Sequence, residues 1–190
     1  MRKRKILKLL QRREVLRTLA LGLMAAIGAW FGLGSGRARA ADAPSPAAPS
    51  GGRLELPRAR WRELLPEPAY RVLFEEGTEQ AYSSPLNGEK GAGTFVCRAC
   101  YLPLFDAATK YDSRTGWPSF WEPLPNTVAT KTDFKLIFPR TEYHCVRCSG
   151  HQGHIFKDGP RPTGLRYCNN GVALRFVAKG EPLPPLREES

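Results

Sequence analysis

The chain has 190 residues, with 29 Lys or Arg against 18 Asp or Glu, a formal net charge of +11. That length suits one domain with an extension, and 42% hydrophobic residues argue for a globular chain and against a disordered one. Ten basic residues and a single acid, Glu14, fall within residues 1–40, whereas residues 41–190 carry 19 basic and 17 acidic side chains, so charge gives the folded part no claim on nucleic acid.

Met1–Arg17 holds eight positive residues, Leu19–Leu33 is an apolar run, and Ala38-Arg39-Ala40 offers a small-x-small cut. This is the three-part layout of an export signal, expected to be cleaved after about Ala40. The apolar run of 15 residues falls short of the ~20 that a stable transmembrane helix needs, so no lasting membrane span is expected; an uncleaved anchor is the alternative. Gln11-Arg12-Arg13-Glu14-Val15-Leu16-Arg17 resembles the twin-arginine signal, which carries bacterial proteins across the membrane already folded and implies a periplasmic location. Residues 41–53, rich in Ala, Pro, Ser and Gly, read as a flexible tether, residues 54–180 as one folded domain, and residues 181–190 as a tail of similar composition.

Within the domain, Trp61–Leu65 predicts a short helical turn stopped by Pro66. Glu67–Glu76 predicts a better helix, with Pro68 in its first turn, Gly77 as its cap, and Tyr70, Leu73 and Phe74 as its apolar stripe. Beyond Gly77 the pattern changes to short strands: Thr94–Cys97, Val128–Phe138, Thr141–Val146, Leu165–Cys168 and Val172–Val177. Asn170-Gly171 between the last two is a strong hairpin signal. The expected fold is mainly β and antiparallel, with short N-terminal helices.

Cys97-Arg98-Ala99-Cys100 and Cys145-Val146-Arg147-Cys148 are two Cys-x-x-Cys pairs. A two-residue spacer lets one tight turn aim two thiolates at a tetrahedral ion, and two such turns complete a four-cysteine zinc site with no open position, hence a structural one. One disulfide within each pair, a thioredoxin-like redox pair, or free thiols are the alternatives. A chain folded before export would bind its zinc before meeting an oxidising compartment.

Cys168 is then left over, as either an inert core thiol or a reactive one. On a strand, Arg166 shares its face, and a guanidinium there would favour the thiolate. His151-Gln152-Gly153-His154 adds two imidazoles able to move protons near neutral pH, to ligate a metal, or simply to meet solvent. His144, beside a quartet cysteine, reads as structural or solvated.

Together several segments resemble the methionine-R-sulfoxide reductases of the MsrB type: Gly77-Thr78-Glu79, both Cys-x-x-Cys pairs, Gly116-Trp117-Pro118-Ser119-Phe120, His151-Gln152-Gly153-His154-Ile155-Phe156, Asp158-Gly159-Pro160, Pro162-Thr163-Gly164 and Arg166-Tyr167-Cys168-Asn169-Asn170. They stand in the family's order over about residues 60–177. The resemblance implies two antiparallel β-sheets with short N-terminal helices, and a structural zinc on Cys97, Cys100, Cys145 and Cys148, remote from the reaction. It implies Cys168 as nucleophile, His151, His154 and Asn170 lining the site, Arg166 beside the thiolate, and Trp117 and Phe156 as the pocket for the methionine methyl group. The substrate class it implies is methionine sulfoxide in peptides and proteins, reduced through a sulfenic acid that a thioredoxin-like or other external thiol returns to thiol. The chain is expected to act as a monomer.

Three positions depart from the family pattern. Thr115 stands where many members carry a recycling cysteine, and Gln152 and Asn169 stand where aliphatic residues are usual. Two rival functions remain open from sequence: a non-enzymatic zinc-stabilised β module, and a thiol–disulfide oxidoreductase without metal.

Overall fold

In a computed structural model the described residues are 52–134 and 138–189; the leader and nearly all of the tether lie outside them. Helix α1 (Arg58–Leu64) buries Trp61 and ends where Leu65 turns extended ahead of Pro66. Helix α2 (Glu67–Glu75) buries Ala69, Tyr70, Val72 and Leu73. Its left-handed end residue is Glu76, at φ 52°, one position before the glycine expected there. Phe74 stacks on Trp61 with ring centroids 4.8 Å apart, joining the two helices. Among the described residues no helix is long and apolar enough to cross a membrane.

The strands are β1 (Gly93–Cys97), β2 (Pro103–Asp106), β3 (Lys110–Tyr111), β4 (Ser119–Phe120), β5 (Val128–Asp133), β6 (Arg140–Cys145), β7 (His151–Phe156), β8 (Arg166–Asn169) and β9 (Leu174–Ala178). They form two sheets, β2-β1-β9 and β3-β4-β8-β7-β6-β5, in which the paired strands run antiparallel. The expected mainly β, two-sheet architecture is therefore present. An aromatic cluster joins the sheets: Phe105 of β2 stacks on Phe120 of β4 at 4.1 Å, and Phe95, Tyr143 and Tyr167 close around them. Because side chains alternate along a strand, Tyr167 facing this core sends Arg166 and Cys168 to the other face.

The expected Asn170-Gly171 hairpin does not form. A type I′ turn needs positive φ at both central residues, yet Asn170 sits at φ −71° and Gly171 opens a short 3-10 turn, Gly171–Ala173. The Glu79 carboxylate claims this segment, accepting from Gly171 N at 2.6 Å and Val172 N at 3.0 Å. The chain consequently leaves β8 in one sheet and enters β9 in the other, paired with β1.

Both chain ends of the domain close on the Cys-x-x-Cys turns. Leu54, 3% exposed, donates its N–H to Arg147 O at 2.7 Å. In the tail, Arg187 donates from its backbone N–H to Cys100 O and from Nε to Ala99 O, with its guanidinium over the Tyr101 ring.

Candidate active site and metal centre

The candidate metal centre is built by two equivalent turns. Each Cys-x-x-Cys pair follows a strand, β1 or β6, and is closed by a left-handed residue whose N–H returns to the first cysteine's carbonyl: Tyr101 to Cys97 and Ser149 to Cys145. All four sulfurs lie within 4.8 Å of one another. Contacts between the turns, Cys97–Cys148 at 3.7 Å and Cys100–Cys145 at 3.5 Å, are far beyond a disulfide at about 2.05 Å. They match the ~3.8 Å edge of a tetrahedron whose centre sits about 2.3 Å from each thiolate. Burial pushes the Cys97 thiol up, the Cys100 and Cys145 sulfurs push Cys148 up, and the other three cysteines pull Cys100 down. The donor set can hold a metal ion.

The candidate reaction site lies on the face of the large sheet away from the aromatic core. Strands β7 and β8 pair His154 with Cys168 and Phe156 with Arg166. They approach closely only because residue 153 is glycine: a Cβ there would lie 1.8 Å from Cys168 O. A cavity of about 150 Å³ opens over this ladder, lined by Thr78, Trp117, Arg140, His154, Phe156 and Cys168 together with Gly153, Asn169 and Asn170. Of the residues expected at the site, Cys168, His154, Asn170, Trp117 and Phe156 thus converge. Asn170 is locked by accepting from Glu79 N at 3.0 Å and donating to Gln152 O at 3.0 Å. Trp117 donates from Nε1 to Glu79 O, so Glu79 holds both pocket residues at once.

His151 stands behind the cavity and does not line it. It is 3% exposed, with its ring 5.4 Å from that of His154. Two histidines three apart on a regular strand would point to opposite faces. Here the register runs from Tyr143↔Gly153 to His144↔His151, leaving Gln152 as an extra residue in β7, and this bulge returns both rings to one face. Burial lowers the basicity of His151, and Glu142, 3.1 Å from its Nδ1, works against that. His144 is half-buried, 3.9 Å from the same Glu142, and outside the cavity.

Arg166 shares the face of Cys168, but its guanidinium is committed elsewhere. It forks onto Asp158 through two 2.9 Å bonds and stacks over Phe156 at 4.2 Å. Burial pushes the Cys168 thiol above its ordinary value, while Arg166 and the Thr115 hydroxyl pull it down without cancelling that push. Arg166 therefore favours the Cys168 thiolate, as expected of a guanidinium on the same face, and burial is the larger effect that opposes it.

Sequence reasoning missed Asp133. Its Oδ2 lies 2.8 Å from His154 Nε2 and 2.6 Å from Arg140, its register partner at the loop end of the β5–β6 pair. With Nε2 donating to this carboxylate, Nδ1 is the nitrogen left to exchange a proton with a ligand. Only contact across three strands reveals the pairing; an acid at 133 and a base at 140 give no motif.

The SelR domain model matches residues 65–178. The chain is 45% identical over 124 residues to the chloroplastic peptide methionine sulfoxide reductase B1 of Arabidopsis thaliana, covering 65% of this chain and 61% of that one. It is 47% identical over 117 residues to the peptide methionine sulfoxide reductase MsrB of Leptospira interrogans, covering 61% and 89%, and 48% identical over 125 residues to that of Pseudomonas putida, covering 65% and 94%. A domain match over most of the folded region, with the motifs converging on one cavity, places this chain in the SelR-domain family, that of the MsrB methionine sulfoxide reductases.

Proposed function

We propose that this chain reduces the R epimer of methionine sulfoxide in peptides and proteins through Cys168. What carries the reading is a half-buried thiol directly across a strand pair from His154, in a cavity walled by Trp117 and Phe156 and sized for one methyl sulfoxide. Apolar walls suit the methyl group, and His154 and Arg140 offer polar groups for the oxygen. Walls of different chemistry around one sulfur are what an epimer-selective site needs, since the two sulfoxides require different enzymes.

In the reaction His154, oriented by Asp133, supplies a proton to the sulfoxide oxygen, which makes the substrate sulfur electrophilic. Cys168 gives up its proton to the same relay and attacks that sulfur. An S–S bond forms to the substrate sulfur as the protonated oxygen leaves as water. A water then attacks Cys168 Sγ, the S–S bond breaks with its electron pair going to the substrate sulfur, and the proton is released. Thiol plus sulfoxide thus becomes sulfenic acid plus thioether. Thr115 offers no second thiol, and drawing one from the quartet would forfeit roughly 10 kcal/mol or more of apparent metal binding. An external thiol therefore condenses with the sulfenic acid, releasing water, and a second one frees Cys168 from the mixed disulfide. A thioredoxin-like protein suits this role.

The quartet suits zinc by its all-thiolate donors and closed coordination, and zinc there supplies folding free energy and no chemistry to the reaction. The arginine pair Arg12-Arg13 and the short apolar run support export of the folded, metal-loaded chain to the periplasm. The deciding experiment is a dithiothreitol-coupled assay on separated R and S sulfoxide peptides, wild type beside Cys168→Ser. Turnover of the R peptide alone, abolished in the variant with metal content unchanged, is expected; activity retained by Cys168→Ser would refute the assignment.

A further inference from the structure

Gln152 lies between the two histidines in sequence yet is fully buried in the core. As the extra residue of the β7 bulge it leaves the alternation of its strand, and its side chain turns away from the cavity toward the metal centre. Its Nε2 donates to Cys97 Sγ at 3.5 Å, and its Oε1 accepts from Asn169 Nδ2 at 3.4 Å. Asn169 is held in turn by Tyr143, whose hydroxyl donates to Asn169 Oδ1 at 2.6 Å, and by its own second donation to Asn170 O at 2.8 Å. Each member is buried and each has a partner, the condition under which a polar network is retained in a core. The orientation of the Gln152 amide is fixed by this chain: its oxygen faces the Asn169 donor, which leaves the N–H to face sulfur.

We propose that Gln152 is a positioning residue for the metal centre, an N–H donor that Tyr143 and Asn169 hold against the Cys97 thiolate. The inference rests on the quartet holding a metal. A hydrogen bond to a coordinating thiolate withdraws charge from sulfur, which lowers both its affinity for protons and its reactivity toward oxidants. Proton attack on a ligand is a route by which metal leaves such a site, so the donor slows release. The same amide ties the end of β1 to β8, the strand that carries Cys168.

The test uses the full chain loaded with zinc, and in parallel with cobalt. Gln152→Met keeps the side chain's length and removes its donor. Zinc transfer to excess EDTA should then run faster, by a factor of about the 10- to 100-fold that deleting an outer-shell partner costs in metal affinity. The thiolate-to-cobalt charge-transfer band should move to lower energy, because a thiolate relieved of its hydrogen bond gives up an electron more readily; a loss of packing alone would not move it in that sense. Tyr143→Phe removes only the hydroxyl that fixes Asn169, and it should shift both readouts the same way by a smaller factor. It also decides the matter if Gln152→Met does not fold. Unchanged transfer rates and an unchanged cobalt band would overturn the proposal. Failure of the wild-type chain to retain either metal would instead remove the reading of the quartet on which it stands.

Discussion

At the scale of single residues, the site depends on a pair that sequence does not connect, Asp133 and His154, 21 positions apart. A carboxylate on Nε2 fixes the tautomer and the orientation of the ring. Asp133→Asn keeps the shape but offers an amide in place of that charge. Its kcat should fall roughly 100-fold with a much smaller change in KM, a split that steady-state kinetics with a sulfoxide peptide will resolve. Cys168 gives a second prediction, with a definite sign. Since burial raises its thiol, alkylation by iodoacetamide, followed at Cys168 by mass spectrometry, should rise with pH through a midpoint above the ordinary thiol value of about 8.5. Arg166→Ala removes the cation that opposes burial, so its midpoint should lie higher still; a midpoint below the ordinary value in the wild type would contradict the burial argument.

Elements set what these residues can reach. The glycine at 153 lets β7 and β8 meet, the bulge at Gln152 puts both histidines on one face, and the Ser113–Ser119 segment carries Thr115 to the sulfur of Cys168. Thr115 bonds to Ser113 at 2.8 Å, and its hydroxyl also steadies the Cys168 thiolate, so the two side chains are neighbours. A thiol at position 115 should then be able to close on the oxidised nucleophile. In Thr115→Cys, one equivalent of substrate without reductant should leave a disulfide between the introduced thiol and Cys168, whereas the wild type should leave a dimedone-reactive Cys168. Peptide mapping distinguishes the two products. Helix α2 and the strand-rich character beyond Gly77 were readable from apolar spacing, because those patterns are local. The Asn170-Gly171 turn was not, because a carboxylate 92 positions from Gly171, that of Glu79, ties up the segment on which the hairpin would turn.

Over the whole molecule, the quartet joins a turn after β1 of the small sheet to one after β6 of the large sheet, and both ends of the domain close on it. Loss of metal should therefore weaken the contact between sheets as well as two turns. Cys145→Ser is expected to release zinc and lower the thermal midpoint by tens of degrees, since about 10 kcal/mol or more of binding free energy is coupled to folding. Metal analysis beside calorimetry will show whether the two losses occur together. The sequence by itself located the residues that the fold gathers: the cysteine quartet by its spacing, Cys168 as the thiol left over, and His154, Trp117, Phe156 and Asn170 through a family resemblance whose motifs lie close along the chain. Tertiary structure alone decided which histidine faces the cavity, that Asp133 and Glu79 hold its walls, and that the Cys168 thiol is raised by burial with Arg166 already paired to Asp158. Those outcomes depend on register, a bulge and burial, which are set when distant strands pair, and no local pattern of residues encodes them.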